Sequence, residues 1–388
     1  MQKRLVMVTA ENNNKFYNMT VENNSLILEW GRIGDKTSTM TKPSSEFDKI
    51  FKEKIKKGYI DVTQLKELKT TGFDFSSFCK KSKDFYNKLL EKSKHFISEK
   101  FVSSSFTDAQ VKEIEIVLSK INAEKDLDAN KLNLLHLLAI SPRKIKSVPI
   151  FINEILNQKD GLSNFIKSET DTLANIKIGI SSAAAQTAGD KAENFLNADV
   201  SLVTDSKELA EIYALVDKYE NYSNKITQVF AIKSKDFSEF DNHVKKHGDK
   251  TKLLFHGSRT ENWFSIIKTK LTVTPSNVKL SGNMFGYGVY FADKFRKSVG
   301  YTSIASSYWA KGSDSTAYIG IYSVNMIKPL VCKKQENFMC KLTLSTILEK
   351  GFRTLHAKGG VGCDIKNDEF IVYENDASTI KYIIEFQN

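Results

Sequence analysis

The sequence has few of the residues that build disulfide or zinc frameworks, and it has no long apolar run. Its 388 residues include four cysteines, six histidines and five prolines. The cysteines form no CxxC pair and have no flanking histidine partner, so we predict neither a disulfide framework nor a bound metal. No apolar run approaches the ~20 residues that cross a bilayer, so we expect no membrane partner.

The first fourteen residues are not typical of a secretory signal. They begin with basic residues but contain only a short apolar run, LVMV, whereas a signal peptide needs a longer apolar core. Together with the cysteine usage, this leads us to expect an intracellular protein. The compartment would be the nucleus in a eukaryote, and the cytoplasm or nucleoid in a bacterium.

The charge balance favours an anionic partner without identifying one. The formal net charge is +11, yet residues 1–75 contain 13 Lys and Arg against 10 Asp and Glu, so the basic residues are spread along the chain. The one local cluster is KIFKEKIKK at 49–57, which a solvated helix face explains equally well. Nucleic acid is compatible with this charge but is not established by it.

Hydrophobic periodicity predicts a β-rich region followed by a helical one. Residues 15–33 alternate like paired strands, and a helix follows that ends at Gly58. The block at 76–195 is helical, with Thr107 and Gln110 in capping-box spacing. One helical face is marked by Val111, Ile114, Leu118 and Ile121. Within LLHLLAI, His136 is predicted to be a core histidine.

The last third of the sequence predicts a mixed or antiparallel sheet. Strand-like segments at ITQVFAI, KLLFHGS, YIGIYSV, EFIVYE and TIKYIIEF alternate with loops and short helices, without a regular βαβ pattern. That arrangement is typical of α+β folds rather than of doubly wound parallel sheets.

Three segments of this last region have the composition of a binding site. LLFHGSR ends a strand with His256, Gly257 and Ser258, so an imidazole and a bare backbone can face a ligand. In NMFGYGVYFADKFRKSVGYT, glycines alternate with aromatic residues before a charged helix. NDEFIVYE places Glu369 at the head of an otherwise apolar strand, where a carboxylate can be desolvated and held rigidly.

In this order, the HGS, GxGVYFAD…KS..Y and DE[FY]IVY segments resemble the catalytic domain of poly(ADP-ribose) polymerases, which are diphtheria-toxin-like ADP-ribosyltransferases. NNNKFYNM followed by LEWGRIG resembles the WGR domain of the DNA-dependent members. The helical block occupies the place of their autoinhibitory domain, and LANIKIG is similar to its closing helix. The resemblance implies an α+β protein with a small β-rich WGR domain at 1–75, an all-α helical regulatory domain at 76–195, and a two-sheet catalytic domain at 196–388.

The resemblance also implies that NAD⁺ is the substrate and that no metal takes part. In the family, the nicotinamide amide contacts the positions of Gly257 and Ser298, while Tyr301 and Tyr290 cover the ring. The catalytic H-Y-E triad corresponds to His256, Tyr290 and Glu369. The predicted NAD-binding set is His256, Gly257, Ser258, Gly288, Tyr290, Phe291, Ala292, Lys297, Ser298 and Tyr301.

The N-terminal resemblance implies contacts with broken DNA. Asn12, Lys15, Trp30 and Arg32 match the surface that meets the phosphate at a break, although a Trp on a strand is most often a core residue. We therefore expect 5′-phosphorylated ends or nicks as partners, together with protein acceptors that include the chain itself. The family's glutamate favours poly(ADP-ribose), but the segment at 320–369 is shorter than in long-chain polymerases. Mono-ADP-ribosyl transfer, NAD glycohydrolysis and an inactive DNA-end adaptor remain alternatives.

Overall fold

A computed structural model describes most of the chain. The described residues are 1–9, 14–33, 36–61, 63, 72–102, 106–124, 126–158, 160–235, 237–273, 284–305, 307, 310 and 312–387. The fold is α+β, as predicted. Two compact units can be distinguished: one contains residues 1–69 and 94–183, and the other contains 70–93, 184–276 and 282–388. The division into three domains at 1–75, 76–195 and 196–388 remains a prediction.

The N-terminal region forms a five-stranded sheet with one helix. Its elements are β1 (Gln2–Met7), β2 (Lys15–Glu22), β3 (Ser25–Arg32), β4 (Thr37–Pro43), α1 (Phe47–Lys56) and β5 (Ile60–Asp61). The strand order is β4-β3-β2-β1-β5, with antiparallel neighbours. Met19 and Leu28 alternate with more exposed neighbours and pack against Phe47 and Ile50 of the helix. Gly58 follows α1 at φ +87°, which confirms the predicted helix end.

In the described residues between 72 and 188, five helices follow. They are α2 (Lys80–Lys100), α3 (Asp108–Ala123), α4 (Leu127–Ile140), α5 (Val148–Asn157) and α6 (Gly161–Ala188). The predicted capping box of α3 is present, because Thr107 and Gln110 each bond the other's backbone N–H. The predicted apolar face of α3 is buried. Among the described helices, none is both long and apolar enough to cross a membrane.

The prediction that His136 is a core residue was wrong. Its side chain is 47% exposed and its Nε2 lies 3.0 Å from Glu113 Oε1. On α4, Leu134, Leu137 and Leu138 fill the buried face, which leaves position 136 on the opposite side of the helix. An apolar sequence neighbourhood did not decide which way this residue faces.

A buried ion pair lies within the helical part of the first unit. Arg143 donates through both terminal nitrogens to the Glu169 carboxylate, and Lys100 Nζ donates to Glu169 Oε1 at 2.8 Å. Arg143 and Glu169 are each only 3% exposed. Burial alone would raise the pKa of the Glu169 carboxyl, but the two cations outweigh it and hold the pKa at about 2.

The described residues of the C-terminal region form two sheets. Its elements are α7 (Ala192–Leu196), β6 (Ala198–Leu202), α8 (Ser206–Val216), β7 (Ile226–Ser234), α9 (Phe237–His247), β8 (Thr251–Gly257), α10 (Trp263–Thr269), β9 (Val289–Phe291), α11 (Phe295–Val299), β10 (Thr316–Asn325), β11 (Pro329–Cys332), α12 (Leu344–Glu349), β12 (Thr354–Ala357), β13 (Glu369–Val372) and β14 (Ser378–Gln387). One sheet is antiparallel with the order β6-β7-β14-β10-β8, and the other has the order β11-β12-β13-β9. In the second sheet only the β11–β12 pair is parallel, so the predicted mixed, two-sheet architecture is confirmed.

Candidate active site

The ends of three strands bring the predicted triad into one region of the second unit. Phe255 on β8 and Ala292, directly after β9, exchange backbone hydrogen bonds of 2.7 and 2.9 Å. β9 is also paired with β13, where Tyr290 lies opposite Ile371. His256, Tyr290 and Glu369 are therefore carried by three neighbouring strands. Segments that are far apart in the sequence become adjacent through backbone pairing alone.

The His256 ring is fixed by a backbone hydrogen bond and by aromatic contacts. Its Nδ1 lies 3.0 Å from the Tyr290 carbonyl oxygen. Since a carbonyl oxygen only accepts, Nδ1 carries the proton and Nε2 is the acceptor nitrogen of the ring. Trp263, Phe291 and Tyr322 surround the ring with edge-on contacts of 5.9–6.3 Å between centroids. The imidazole is thus fixed in both tautomer and orientation.

Gly257 allows a close backbone approach to α11. A Cβ added at this glycine would lie 2.0 Å from the Ser298 carbonyl oxygen, far inside van der Waals contact. Only glycine lets the end of β8 run this close to the helix. Ser298 is 3% exposed, so the two residues predicted to bind one amide group are brought together.

Tyr290 is anchored through its hydroxyl. The hydroxyl donates to the Gly286 carbonyl at 2.8 Å and accepts the Phe285 N–H at 3.2 Å. Gly286 has φ +83°, and a Cβ added at Gly288 would lie 2.3 Å from a methyl carbon of Ile371. Burial raises the pKa of Tyr290 well above its ordinary value, so its hydroxyl stays neutral. Gly286 is therefore needed for its left-handed backbone, and Gly288 for its close packing against Ile371.

Lys297 and Glu369 form an ion pair at the head of β13. Lys297 Nζ lies 2.6 Å from Glu369 Oε1 and 3.1 Å from the Asp368 carbonyl oxygen, and the two side chains are 15% and 17% exposed. Burial lowers the pKa of Lys297, and the Glu369 carboxylate opposes that shift. The pair is a charge-assisted hydrogen bond that fixes one carboxylate oxygen.

The other predicted contact residues lie around this centre. Phe291 and Ala292 are buried. Asn262 Nδ2 donates to Ser258 Oγ at 3.3 Å. Tyr301 is 40% exposed, and its pKa is raised to about 12 by partial burial and by the charge of Glu369. The negative charge of Glu369 therefore acts on the Tyr301 hydroxyl, while part of the Tyr301 side chain faces solvent.

Three of the four predicted DNA-binding residues, Lys15, Trp30 and Arg32, lie at one end of the β2–β3 strand pair in the first unit. Lys15 and Arg32 are cross-strand partners on β2 and β3, and Arg32 is exposed. Trp30 is half-buried and stacks on Tyr17, with 5.9 Å between ring centroids and 26° between planes. The ring of Trp30 thus packs on the core of the sheet, while the two cations are paired at the end of β2 and β3. Asn12 lies outside the described residues.

A cluster that the sequence reasoning missed lies beside α9. His243, His247 and Glu374 bring three candidate metal-ligating atoms within 4.8 Å of one another. The i, i+4 spacing in HVKKH is the signal that could have revealed it. However, Arg353 contacts both Glu374 oxygens at 2.6–2.7 Å, and the amide nitrogen of Asn325 lies 3.4 Å from His243 Nδ1. That neighbour favours the proton on His243 Nε2, which faces Glu374 Oε2 at 3.5 Å, so Glu374 is held by Arg353 and His243.

Comparison with known proteins supports the resemblance in both terminal regions. The family model of the poly(ADP-ribose) polymerase catalytic domain matches residues 206–311, and that of the WGR domain matches residues 1–66.

Three relatives illustrate the extent of this similarity. "Putative poly [ADP-ribose] polymerase-like 100L" of Invertebrate iridescent virus 6 is 30% identical over 182 residues, which cover 46% of this chain and 94% of the relative. "Uncharacterized protein 101L" of the same virus is 30% identical over 204 residues, which cover 50% of this chain and 83% of the relative. "Poly [ADP-ribose] polymerase 1" of Arabidopsis thaliana is 27% identical over 259 residues, which cover 62% of this chain but 24% of the relative. The chain therefore belongs to the poly(ADP-ribose) polymerase family and combines a WGR domain with an ADP-ribosyltransferase catalytic domain.

Proposed function

We propose that this protein transfers ADP-ribose from NAD⁺ to protein acceptors, including itself, and that broken DNA stimulates the transfer. The observation that carries the proposal is the convergence of His256, Tyr290 and Glu369 on adjacent strand ends, with the Glu369 carboxylate paired to Lys297 at 2.6 Å. A carboxylate held in this way is suited to stabilising positive charge on a neighbouring sugar.

The first assignment concerns the residues that bind the nicotinamide end of NAD⁺. The backbone of Gly257 and the hydroxyl of Ser298 hydrogen-bond the carboxamide, while Tyr301 and Tyr290 cover the two ring faces. The close approach of Gly257 to Ser298 supports this assignment, because a single amide can then reach both. A planar aromatic amide needs both faces covered and its polar atoms satisfied.

His256 is assigned to the ribose hydroxyls. Its Nδ1 proton is engaged by a backbone carbonyl, so Nε2 is the atom that accepts from a sugar hydroxyl. The aromatic residues around the ring keep it from rotating. A fixed acceptor lowers the entropy cost of orienting the ribose.

The chemical step breaks the bond between nicotinamide and C1 of its ribose. Nicotinamide leaves with the bonding electron pair, and C1 gains oxocarbenium character, as in glycoside hydrolysis. The Glu369 carboxylate, which is paired with Lys297, accepts a hydrogen bond from the ribose 2′-hydroxyl and stabilises that positive charge. The acceptor oxygen then bonds to C1 as its proton passes to solvent or to Glu369.

Elongation to poly(ADP-ribose) is the finer part of the proposal. When the acceptor is a ribose hydroxyl of an earlier unit, Glu369 must polarise that hydroxyl as well. Chain growth then depends on Glu369 in both steps, whereas NAD⁺ cleavage depends on it in one. Loss of its charge is therefore expected to stop chain growth before it stops NAD⁺ cleavage. Mono-ADP-ribosyl transfer and NAD glycohydrolysis use the same first step and differ only in the acceptor.

Stimulation by DNA is assigned to the WGR domain. Lys15 and Arg32 lie opposite each other across β2 and β3, so two cations can approach one phosphate. Contacts of this type give affinity without base recognition, and they weaken steeply with salt. A terminal 5′ phosphate is the group that distinguishes a break from continuous duplex.

The test is a gel of purified protein incubated with adenylate-labelled NAD⁺. One sample has no DNA, one has intact circular plasmid, and one has the same plasmid nicked to leave 5′ phosphates. A ladder of labelled protein that strengthens only with nicked plasmid supports the full proposal. A single labelled band supports mono-ADP-ribosyl transfer, free ADP-ribose without labelled protein supports glycohydrolysis, and equal labelling with both plasmids contradicts stimulation by breaks.

A further inference from the structure

We infer that His356 is a positioning residue for the transfer reaction and acts through Asp368 on the Lys297–Glu369 pair. This inference rests on the proposed role of Glu369. His356 is on β12, and its Nε2 lies 2.6 Å from Asp368 Oδ2. Asp368 immediately precedes Glu369 in the sequence, so any movement of one is transmitted to the other through a single peptide unit.

The His356 ring is fixed against the strand that carries Glu369. It stacks on Phe370 with 4.3 Å between centroids and 18° between planes. His356 and Phe370 are also cross-strand partners, and Ala357 pairs with Glu369 in the same ladder. Because side chains alternate along a strand, His356 and Phe370 share one face of the sheet and Glu369 is directed to the other. The histidine therefore braces β13 from the face opposite Glu369.

Asp368 links His356, on one face of the sheet, to the backbone that carries Glu369. Its Oδ2 contacts His356, and its Oδ1 accepts the Gly359 N–H at 2.9 Å. Its backbone carbonyl accepts from Lys297 Nζ at 3.1 Å. Burial would raise the pKa of Asp368, but the hydrogen bonds from Gly359 and His356 outweigh it and lower that pKa. The carboxylate thus stays charged and holds its contacts at neutral pH.

These contacts clamp residues 367–369 from two sides. On one side, Lys297 binds the Glu369 carboxylate and the carbonyl oxygen of Asp368, and Lys294 Nζ lies 3.0 Å from Asn367 Oδ1. On the other side, His356 holds the Asp368 side chain. A shift of about 1 Å in a reacting group can cost a hundredfold in rate, so a brace at this position affects the chemical step.

The positioning role of His356 predicts that its loss lowers kcat with little change in nicotinamide binding. His356→Ala should lower kcat about tenfold and leave KM for NAD⁺ within about twofold, because Gly257, Ser298 and Tyr301 are not touched. His356→Gln can still donate to Asp368 and should recover most of the activity. His136→Ala is the matched control, since His136 forms an exposed pair with Glu113 and should leave kcat unchanged.

Epistasis with Glu369 separates positioning from loss of folded protein. If His356 acts through Glu369, then His356→Ala should change the residual NAD⁺ hydrolysis of Glu369→Gln by less than about twofold. An equal tenfold loss in both backgrounds, or no rescue by His356→Gln, would overturn the inference. Thermal unfolding of each variant gives the folded fraction that normalises the rates.

A crystal structure of His356→Ala decides the inference without relying on activity. The expected result is a Glu369 carboxylate displaced from Lys297 Nζ beyond hydrogen-bond distance, and an unchanged 2.6 Å contact would overturn it. If the wild-type protein did not consume NAD⁺, the proposed function would fail. The structural comparison would still show whether His356 positions this segment.

Discussion

Lys297 Nζ and Glu369 Oε1 are 2.6 Å apart although 72 residues separate them in the chain. Lys297 lies on α11, and Glu369 opens β13. The ion pair fixes the orientation of the Glu369 carboxylate. The first two predictions follow from this pair.

Glu369→Gln is expected to abolish polymer while leaving some NAD⁺ hydrolysis or mono-modification. The amide keeps the shape and can still contact Lys297, but it loses the negative charge that polarises an acceptor hydroxyl. Labelled NAD⁺ on a gel measures polymer, and released nicotinamide measures cleavage. Unaltered polymer would contradict the assigned role.

Lys297→Met is expected to lower kcat by about a hundredfold, because the Glu369 carboxylate loses the partner that orients it. The apolar side chain fills similar volume, so folding should be preserved. Steady-state nicotinamide release measures the effect. The matched control is Lys381→Met, at an exposed position on β14; equal losses in both variants would argue against a specific role for the pair.

Gly257→Ala is expected to weaken NAD⁺ binding by about 10- to 100-fold, since the added Cβ would lie 2.0 Å from the Ser298 carbonyl oxygen and overpacking costs about 1–3 kcal/mol. Product inhibition by nicotinamide should weaken in parallel. Gly179→Ala is the control, because a Cβ at that helical glycine meets nothing within 4 Å and should stabilise α6 slightly. Wild-type inhibition by nicotinamide in Gly257→Ala would place the amide elsewhere.

Arg32→Ala is expected to reduce stimulation by nicked DNA without changing activity in its absence. Loss of one phosphate contact should weaken DNA binding and lower the salt slope by about one. Fluorescence anisotropy across a salt series measures both quantities. Arg4→Ala removes the same charge from an exposed position on β1 of the same sheet, and an identical effect in that variant would indicate nonspecific attraction.

Glu169→Gln is expected to destabilise the helical part of the first unit by about 3–5 kcal/mol, because Arg143 would remain buried without its charge partner. The folded-state pKa of Glu169 is about 2, below the ordinary carboxyl value. Its contribution to stability is therefore fully present above the unfolded-state pKa and is lost as pH falls toward 2. Urea unfolding at pH 7 and at pH 3 measures both effects, and the difference between wild type and variant should shrink at the lower pH.

Local sequence determined the elements of the fold and the positions of the candidate triad. Alternation predicted β2 and β3, and the spacing of Thr107 and Gln110 predicted the start of α3, since these signals depend on neighbours within a few residues. HGS, GYGVYFAD and DEFIVY pointed to His256, Tyr290 and Glu369 because each motif is continuous in the chain.

Tertiary structure alone decided which side chains meet and which way they face. His136 has apolar neighbours in sequence yet faces outward, and Trp30 packs on Tyr17 while Arg32 remains exposed. The contacts of Lys297 with Glu369 and of His356 with Asp368 join separate elements, so no local pattern specifies them. The physical reason is that strand pairing and core packing set these distances, and both depend on the whole fold rather than on adjacent residues.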